Sequence, residues 1–487
     1  MAAPCNKAAT LRTPKKKTKK TIHFVSLGCP KNRVDTEVML GVADKGGWAL
    51  VDDPTEASIV VVNTCGFIGE AKRESIETIF ELSTLKKTGG LEKLVVAGCL
   101  SQRYPTELSS QMPEVDHFLG SSDMLRLGEV LGGKADRMLV GNPADWVIRA
   151  TDPRVITGPR ASAYVKLAEG CNRKCAFCTI PQFRGKQRSR SVDDVVREVE
   201  QLAAGGVKEI NLVSQDTVSY GRDLPKDERE PLADLLERVA DVKGVRWARL
   251  FYLYPEKLDD RLLELVAQHP RVAKYVDMPL QHAADAMLKR MRRGHGIDRQ
   301  RQVVERVRRM IPGVTFRTAF IVGHPGETDE EFDELCAFVR WAEFERVGVF
   351  RYSDEETCAS HELDGKVRAL TTANRYRRLM SLQRKISRKK NQALVGQELD
   401  VLVEGPSEEH DFVMAGRHEG QAPEVDGKVF LSVDDRADFD SNIQAGQLRK
   451  ARVTQASDYD LVATVIDPPP KGARKAKVSL RVLGAGA

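Results

Sequence analysis

Residues 171–178 read CNRKCAFC, which sets Cys171, Cys175 and Cys178 in a C-x3-C-x2-C array. Closely spaced thiolates are soft metal ligands, suited to zinc or to an iron–sulfur cluster. A closed structural zinc site takes four protein ligands, and no fourth cysteine or histidine follows this array closely. Three cysteines on a four-iron cube leave one iron unligated by protein. An iron left open in this way can chelate the amino and carboxylate groups of S-adenosylmethionine. Electron transfer then breaks the adenosyl carbon–sulfur bond and yields a carbon radical, chemistry that the cofactor carries.

Phe177, the aromatic before the third cysteine, makes the array resemble the radical-SAM signature. A zinc site completed by a distant side chain is the alternative. Cys29, Cys65 and Cys99 each close a short apolar run: IHFVSLGC, ASIVVVNTC and KLVVAGC. A lone cysteine is usually a small buried hydrophobe, but three at equivalent places read as a second metal-binding set. Cys5, Cys336 and Cys358 have no such company and take the ordinary reading. Disulfides are not expected in a cytosolic chain of this size.

These side chains need a scaffold. The three apolar runs alternate with the amphipathic stretches NRVDTEVMLGVADKGG and EAKRESIETIFELSTLKK. That βαβαβ pattern predicts an α/β fold, a doubly wound parallel sheet. Ligands of such sheets bind at the carboxyl ends of the strands, so Cys29, Cys65 and Cys99 are expected on one rim. A second alternation supplies YVKLAEGC, EINLVSQD, RWARLFYLY, KYVDMPLQ, FRTAFIVGHPGE and RVGVFRYSD. Six such units predict a partial (β/α)6 barrel, with CNRKCAFC after its first strand at the catalytic face. A basic helix, NRYRRLMSLQRKISRKKNQAL, then leads to short β-runs that predict a small five-stranded, OB-like β-barrel.

The expected organisation is a disordered basic tail over 1–20, an N-terminal α/β domain over 21–135 and a linker over 136–156. A radical-SAM barrel over 157–390, a β-barrel over 391–462 and a basic tail over 463–487 follow. Softer expectations concern S-adenosylmethionine contacts. Phe177 lies in the array. The pair Gly205 and Gly206 could let backbone approach the cofactor's amino acid end, and a helix-ending glycine pair is the plainer reading. Gln215, with Asp216, ends the second barrel strand. Gly323, Gly326 and Glu327 fall near the adenine side, where a tight turn plus an N-cap explains them as well.

Charge narrows the partners. The chain of 487 residues carries a net +6, but residues 1–20 hold seven Lys/Arg and residues 470–487 hold five, with no acid in either. The body between them is therefore acidic. Residues 391–460 contain fifteen Asp/Glu against six Lys/Arg, a net of −9. Such a domain repels a phosphate backbone and attracts a basic protein. No apolar run approaches the roughly 20 residues that span a bilayer. The N-terminal stretch has no apolar core of a secretory signal, so a cytoplasmic protein without a membrane partner is expected.

Two three-cysteine sets on an α/β domain and a radical-SAM barrel, followed by a small β-barrel, resemble the methylthiotransferases; the last piece resembles a TRAM domain. The resemblance covers residues 21–462. SLGCPKNRVDTE, IPQFRGKQRSR, DMPLQHAADAMLKRMRRG and GRHEGQAPEVDG are similar to the ribosomal-protein branch, RimO, whereas the tRNA branch has Gln-Met-Asn after the first cysteine. The resemblance implies two 4Fe-4S clusters. One, on Cys171, Cys175 and Cys178, binds S-adenosyl-L-methionine. The other, an auxiliary cluster on Cys29, Cys65 and Cys99, carries the sulfur. It implies a radical-SAM transferase that places a methylthio group on the β-carbon of an aspartate in the twelfth protein of the small ribosomal subunit. Its partners would be that basic protein, free or in the assembling ribosome, and a reductant protein. A tRNA adenine methylthiotransferase, MiaB-like, and a non-catalytic iron–sulfur or zinc RNA-binding module are the competing readings. Two places depart from the family pattern: YSDEETCAS carries Cys358, and HPGET has His324 where an aromatic is usual.

Overall fold

The run Ile59–Thr64, IVVVNT, is buried at every residue, as expected of a strand covered on both faces in a parallel sheet. It is the centre of the first of three units in the computed structural model, which describes residues 20–87, 90–159, 161–409, 413–433 and 443–468. Cys5 and nearly all of both basic tails lie outside the described residues.

The first unit runs β1 (Thr21–Ser26), α1 (Pro30–Lys45), β2 (Ala49–Leu50), β3 (Ile59–Thr64), α2 (Gly69–Ser83), β4 (Lys93–Gly98), α3 (Cys99–Arg103), α4 (Pro105–Gln111), β5 (His117–Leu119), α5 (Leu127–Leu131) and β6 (Met138–Leu139). Its parallel sheet has the order β2-β1-β3-β4-β5-β6. Alternate strand residues point to opposite faces. Phe24, Val61 and Val95 meet α1 and α5, while Val60, Val62 and Val96 meet α2, α3 and α4. The doubly wound sheet is therefore as expected, with three extra strands. Each extra strand has only two or three residues, too few for apolar periodicity to register. One of them, β6, falls inside the stretch read as linker.

The second unit contains β7 (Ser162–Lys166), β8 (Ala168–Glu169), α6 (Ile180–Arg184), β9 (Arg188–Ser189), α7 (Val192–Ala204), β10 (Glu209–Val213), α8 (Leu232–Asp241) and β11 (Trp247–Leu250). It continues through α9 (Asp260–Gln268), β12 (Tyr275–Asp277), α10 (Asp285–Arg290), α11 (Ile297–Met310), β13 (Thr315–Val322), α12 (Asp329–Ala342), β14 (Arg346–Arg351) and α13 (Ala369–Gln392). Two parallel three-stranded sheets, β11-β10-β7 and β12-β13-β14, join through a bridge between Ala248 and Val272. The result is the partial six-stranded barrel. Helix α1 packs against its first strand, so both faces of α1 are covered. This explains why α1 buries Lys31, Asn32, Asp35 and Glu37 together with its apolar residues.

The third unit is a closed barrel, β15 (Glu398–Pro406), β16 (Met414–His418), β17 (Val429–Val433), β18 (Leu448–Ala456) and β19 (Leu461–Val465), in the order β15-β16-β17-β19-β18. Strand β19 runs three residues into the stretch read as tail. The β16–β17 connection plugs the lower end of the six-stranded barrel. Tyr164 donates to the Pro423 carbonyl at 3.0 Å, and Tyr275 donates to the Asp426 carboxylate at 2.7 Å. Glu209, at the start of β10, is held by Arg249 at 3.0 Å and by Arg417 at 2.6 Å, all three fully buried. Part of the acidic surplus of this unit is thus committed to docking, since Glu424 pairs with Arg33 and Asp400 with Arg246. Asp411, Asp434, Asp435, Asp438 and Asp440 lie outside the described residues.

Candidate functional site

Cys29, Cys65 and Cys99 follow β1, β3 and β4, three neighbouring parallel strands. Adjacency and equal direction bring them to one rim, as the pattern predicts. The approach is close: a Cβ on Gly28, whose φ is +90°, would lie 2.8 Å from Cys65 Cβ and 3.2 Å from its Sγ. A Cβ on Gly98, at φ +99°, would strike the Asn63 side chain at 2.3 Å. Only glycine tolerates both the backbone and the space.

Asn32 ties the three loops. Its Nδ2 donates to Leu27 O at 3.0 Å and Thr64 O at 2.9 Å, and its Oδ1 accepts from the Cys99 thiol at 3.5 Å. Arg184, from the barrel, donates Nε to Cys99 Sγ at 3.2 Å and Nη2 to Asn32 Oδ1 at 2.5 Å. Its Nη1 lies 2.9 Å from Asp35 and 3.1 Å from Glu169. Burial pushes the Cys65 thiol up to about 12, and it pushes Cys99 up to about 11 against the pull of Arg184.

The second set sits at the upper, C-terminal end of β7, framed by the short β8–β9 pair. Burial raises Cys171 to about 11 and Cys178 further. Arg293 donates Nη1 to Cys175 Sγ at 3.3 Å and Nη2 to Pro279 O at 2.8 Å, and its guanidinium stacks over Tyr254 at 4.6 Å. Arg173, inside the cysteine array, lies 3.6 Å over the same ring and is held by Asp216 at 2.7 Å and Glu256 at 3.0 Å. Phe177 packs with Met287, Met291 and Ile321. Gln215 is buried at the end of β10, and its Oε1 has no hydrogen-bond partner.

The remaining expectations fare differently. Gly205 and Gly206 lie between α7 and β10, at the lower face, opposite the cysteine loop. Loops that enter a barrel strand lie on that face, and loops that leave one carry the site. The pair ends a helix, so its assignment to the cofactor is corrected. Gly323, Gly326 and Glu327 do follow β13 at the upper face. Packing accounts for them, because a Cβ would strike Thr372 at 2.3 Å or the Arg290 guanidinium at 2.5 Å. Glu327 is engaged by His282 at 3.1 Å, Arg375 at 2.7 Å and the Gly323 N–H at 2.5 Å. Thr328 caps α12 in a capping box.

Cys336 is buried on α12. Cys358, read as solitary, is buried close enough to Cys178 for their charges to interact. Its loop bridges the two units: Glu355 takes Lys72 at 2.6 Å and Arg103 at 2.9 Å, and Ser360 N–H donates to Ala176 O at 2.9 Å.

The donor chemistry fits iron–sulfur clusters. Each set is three thiols gathered by glycine-rich or short loops, and each has one buried guanidinium donating to a sulfur. Among the described residues no three His, Cys, Asp or Glu side chains close on the position of a single ion. A cube places its thiolates on different irons and needs them further apart. Asn32, Arg184 and Arg293 were missed in the sequence; only the strings that contain them, CPKN, QFRG and MRRG, carried a signal.

Family profiles match in three places: the radical SAM superfamily over residues 165–339, the uncharacterized protein family UPF0004 over 21–120, and the TRAM domain over 395–466. The chain is 66% identical over 455 residues to a protein of Sorangium cellulosum named ribosomal protein uS12 methylthiotransferase RimO, covering 93% of this chain and 92% of that one. Proteins of the same name from Myxococcus xanthus and Solibacter usitatus are 47% and 48% identical, covering 93% and 92% of this chain and 94% and 95% of theirs. Among solved structures, the radical S-adenosylmethionine methyltransferase TsrM of Kitasatospora setae superposes with a TM-score of 0.50 at 16% identity, over 68% of this chain and 75% of that one. At that identity the likeness is one of fold.

Proposed function

This chain belongs to the RimO family of radical-SAM methylthiotransferases, and from that premise we infer that it methylthiolates ribosomal protein uS12, at the β-carbon of an aspartate. The observation that carries the mechanism is the seam at which Arg184, on the barrel helix that directly follows the Cys171–Cys178 array, donates to Cys99 of the neighbouring unit. Cys171, Cys175 and Cys178 would hold the cluster that binds S-adenosylmethionine, and Cys29, Cys65 and Cys99 a second one. Together these groups supply one-electron chemistry at a carbon whose C–H bond offers a general base no handle.

The protein's own residues do the rest. Arg293 and Arg184 each set a buried positive charge against one triad, which favours thiolate over thiol. Arg173, clamped by Asp216 and Glu256, fixes the loop between Cys171 and Cys175. Phe177 with Met287 and Met291 keeps water from one side of the array. Gln215, buried with its Oε1 unpartnered at the end of β10, would offer an acceptor to a donor of the bound cofactor.

The test uses full-length protein reconstituted anaerobically and given uS12 or tRNA, with mass spectrometry of both. Methylthiolation adds about 46 Da, one sulfur and one CH2, to the modified partner. Gain by uS12 is expected; gain by tRNA alone overturns the substrate. Iron content should be about eight per chain, and about four removes the second cluster. Cys171→Ala should abolish 5′-deoxyadenosine formation. Cys29→Ala should keep that activity and lose sulfur insertion.

A further inference from the structure

Lys31 is the second residue of α1, two positions past Cys29, and its side chain leaves its own unit for the mouth of the barrel. It is only 6% exposed. Nζ donates to the carbonyl of Ser214, beside Gln215 at the end of β10, at 3.2 Å, and lies 3.6 Å over the ring of Tyr252 at the end of β11. Tyr252 adopts φ +58°, a conformation that a bulky residue holds only when its surroundings impose it and that gathers at functional sites.

The other buried cations along this seam have carboxylates. Lys166 has Asp35 and Glu169, Arg184 has the same two, and Arg154 has Glu37 and Glu198. Among the described residues no carboxylate oxygen comes within 4.0 Å of Lys31 Nζ. The charges of Cys29, Glu169 and Asp277 act on it at longer range, and of its three donors only one meets an acceptor in direct contact. Burying such a charge is costly unless an anion meets it. The position, two residues past Cys29 and beside the β10 end whose Asp216 holds Arg173 of the second cysteine loop, is where the reacting carbon of a substrate would come.

We propose that Lys31 is the subsite for a carboxylate, and that the carboxylate is that of the target aspartate. The proposal rests on the function inferred above. Gripping the carboxylate fixes the carbon one bond away, the one to be modified, and it selects aspartate over its amide. The carboxylate of S-adenosylmethionine is the other possible source of the same chemistry, and the experiment separates the two.

Anaerobically reconstituted wild type, Lys31→Met and Lys31→Arg, matched for iron content, are titrated with three ligands. These are uS12, uS12 carrying Asn in place of the target aspartate, and S-adenosylmethionine. Wild type should bind the aspartate form roughly thirtyfold more tightly than the amide form, the scale expected for a buried charge pair. Lys31→Met should bind both forms alike, and Lys31→Arg should retain most of the preference. Affinity for S-adenosylmethionine should stay within about threefold in all three. If Lys31→Met keeps the wild-type preference, or weakens only S-adenosylmethionine binding, the proposal fails while the function stands. If wild type modifies no uS12, the function fails and takes this subsite with it.

Discussion

At Arg293 a guanidinium is buried with a thiol, a carbonyl and a tyrosine ring as neighbours, and its Nε has no partner. Burial works against its charge, and Tyr254 and Cys175 favour it. A positive charge and an N–H···S bond beside a cluster ease the addition of an electron. Arg293→Met should therefore move the midpoint potential of the S-adenosylmethionine cluster more negative, by roughly 60 mV, a tenfold factor for one electron. Arg293→Lys should recover part of the shift, and a potentiometric EPR titration reads both. Arg184→Met should do the same at the proposed second cluster and leave the first unmoved. The cysteines were legible because local spacing announces them. Arg184 and Arg293 were not, since their thiol partners lie 85 and 118 residues away in the chain. Gly205 and Gly206 show the opposite failure, because a local glycine pair looks alike whether its loop enters or leaves a strand.

Among the elements, the loop after β14 does more than end a strand. Through Glu355 it holds Lys72 of α2 and Arg103 of α3, and through Ser360 it holds the cysteine loop at Ala176. Arg103 also donates to Gly66 O at 2.8 Å, next to Cys65. One loop thus steadies both cysteine sets at once. Glu355→Gln should leave two cations facing a neutral amide and cost about 2 kcal/mol or more at this contact. Faster hydrogen exchange in residues 65–75 and 171–178, with an unchanged rate in β15–β19, is the expected signature. An exchange pattern identical to wild type would show that the loop does not couple the sets. The long strands β1, β3, β4, β10 and β13 were readable from apolar runs. The loop's bridging role was not, because the polar string YSDEETCAS reads as an ordinary exposed turn until both units are in place.

Across the whole molecule, the contact between the barrel and the terminal unit turns on Glu209. Burial alone would raise its carboxyl, but Arg417 and Arg249 outweigh it and hold it at about 2. An unfolded glutamate titrates near about 4.3. The ionised form therefore contributes stability at and above that pH, and the contribution is lost as pH falls toward about 2. Acid unfolding should show this limb, and Glu209→Gln should lack it. At neutral pH that variant should lose about 3–5 kcal/mol, because buried Arg249 is left without its carboxylate and buried Arg417 keeps only Glu404. Denaturant melts across the acid range check both. Sequence composition gave a net charge for the terminal unit but not the direction its charges face. Asp426 turns inward, and Glu424 and Asp400 are paired with Arg33 and Arg246, so fewer acids than the count suggests are free to meet a basic partner.

The plug also has a consequence in time. Glu209 emerges from the ribosome 208 residues before Arg417. At ordinary elongation rates that interval lasts roughly 10–40 s. Throughout it the lower end of the six-stranded barrel stands open, with Arg249 alone, among the described residues, to pair a carboxylate destined for a dry interior. The catalytic unit is therefore finished by a segment translated after it, and a nascent chain stalled before residue 417 should be captured by chaperones that a chain released past residue 426 escapes.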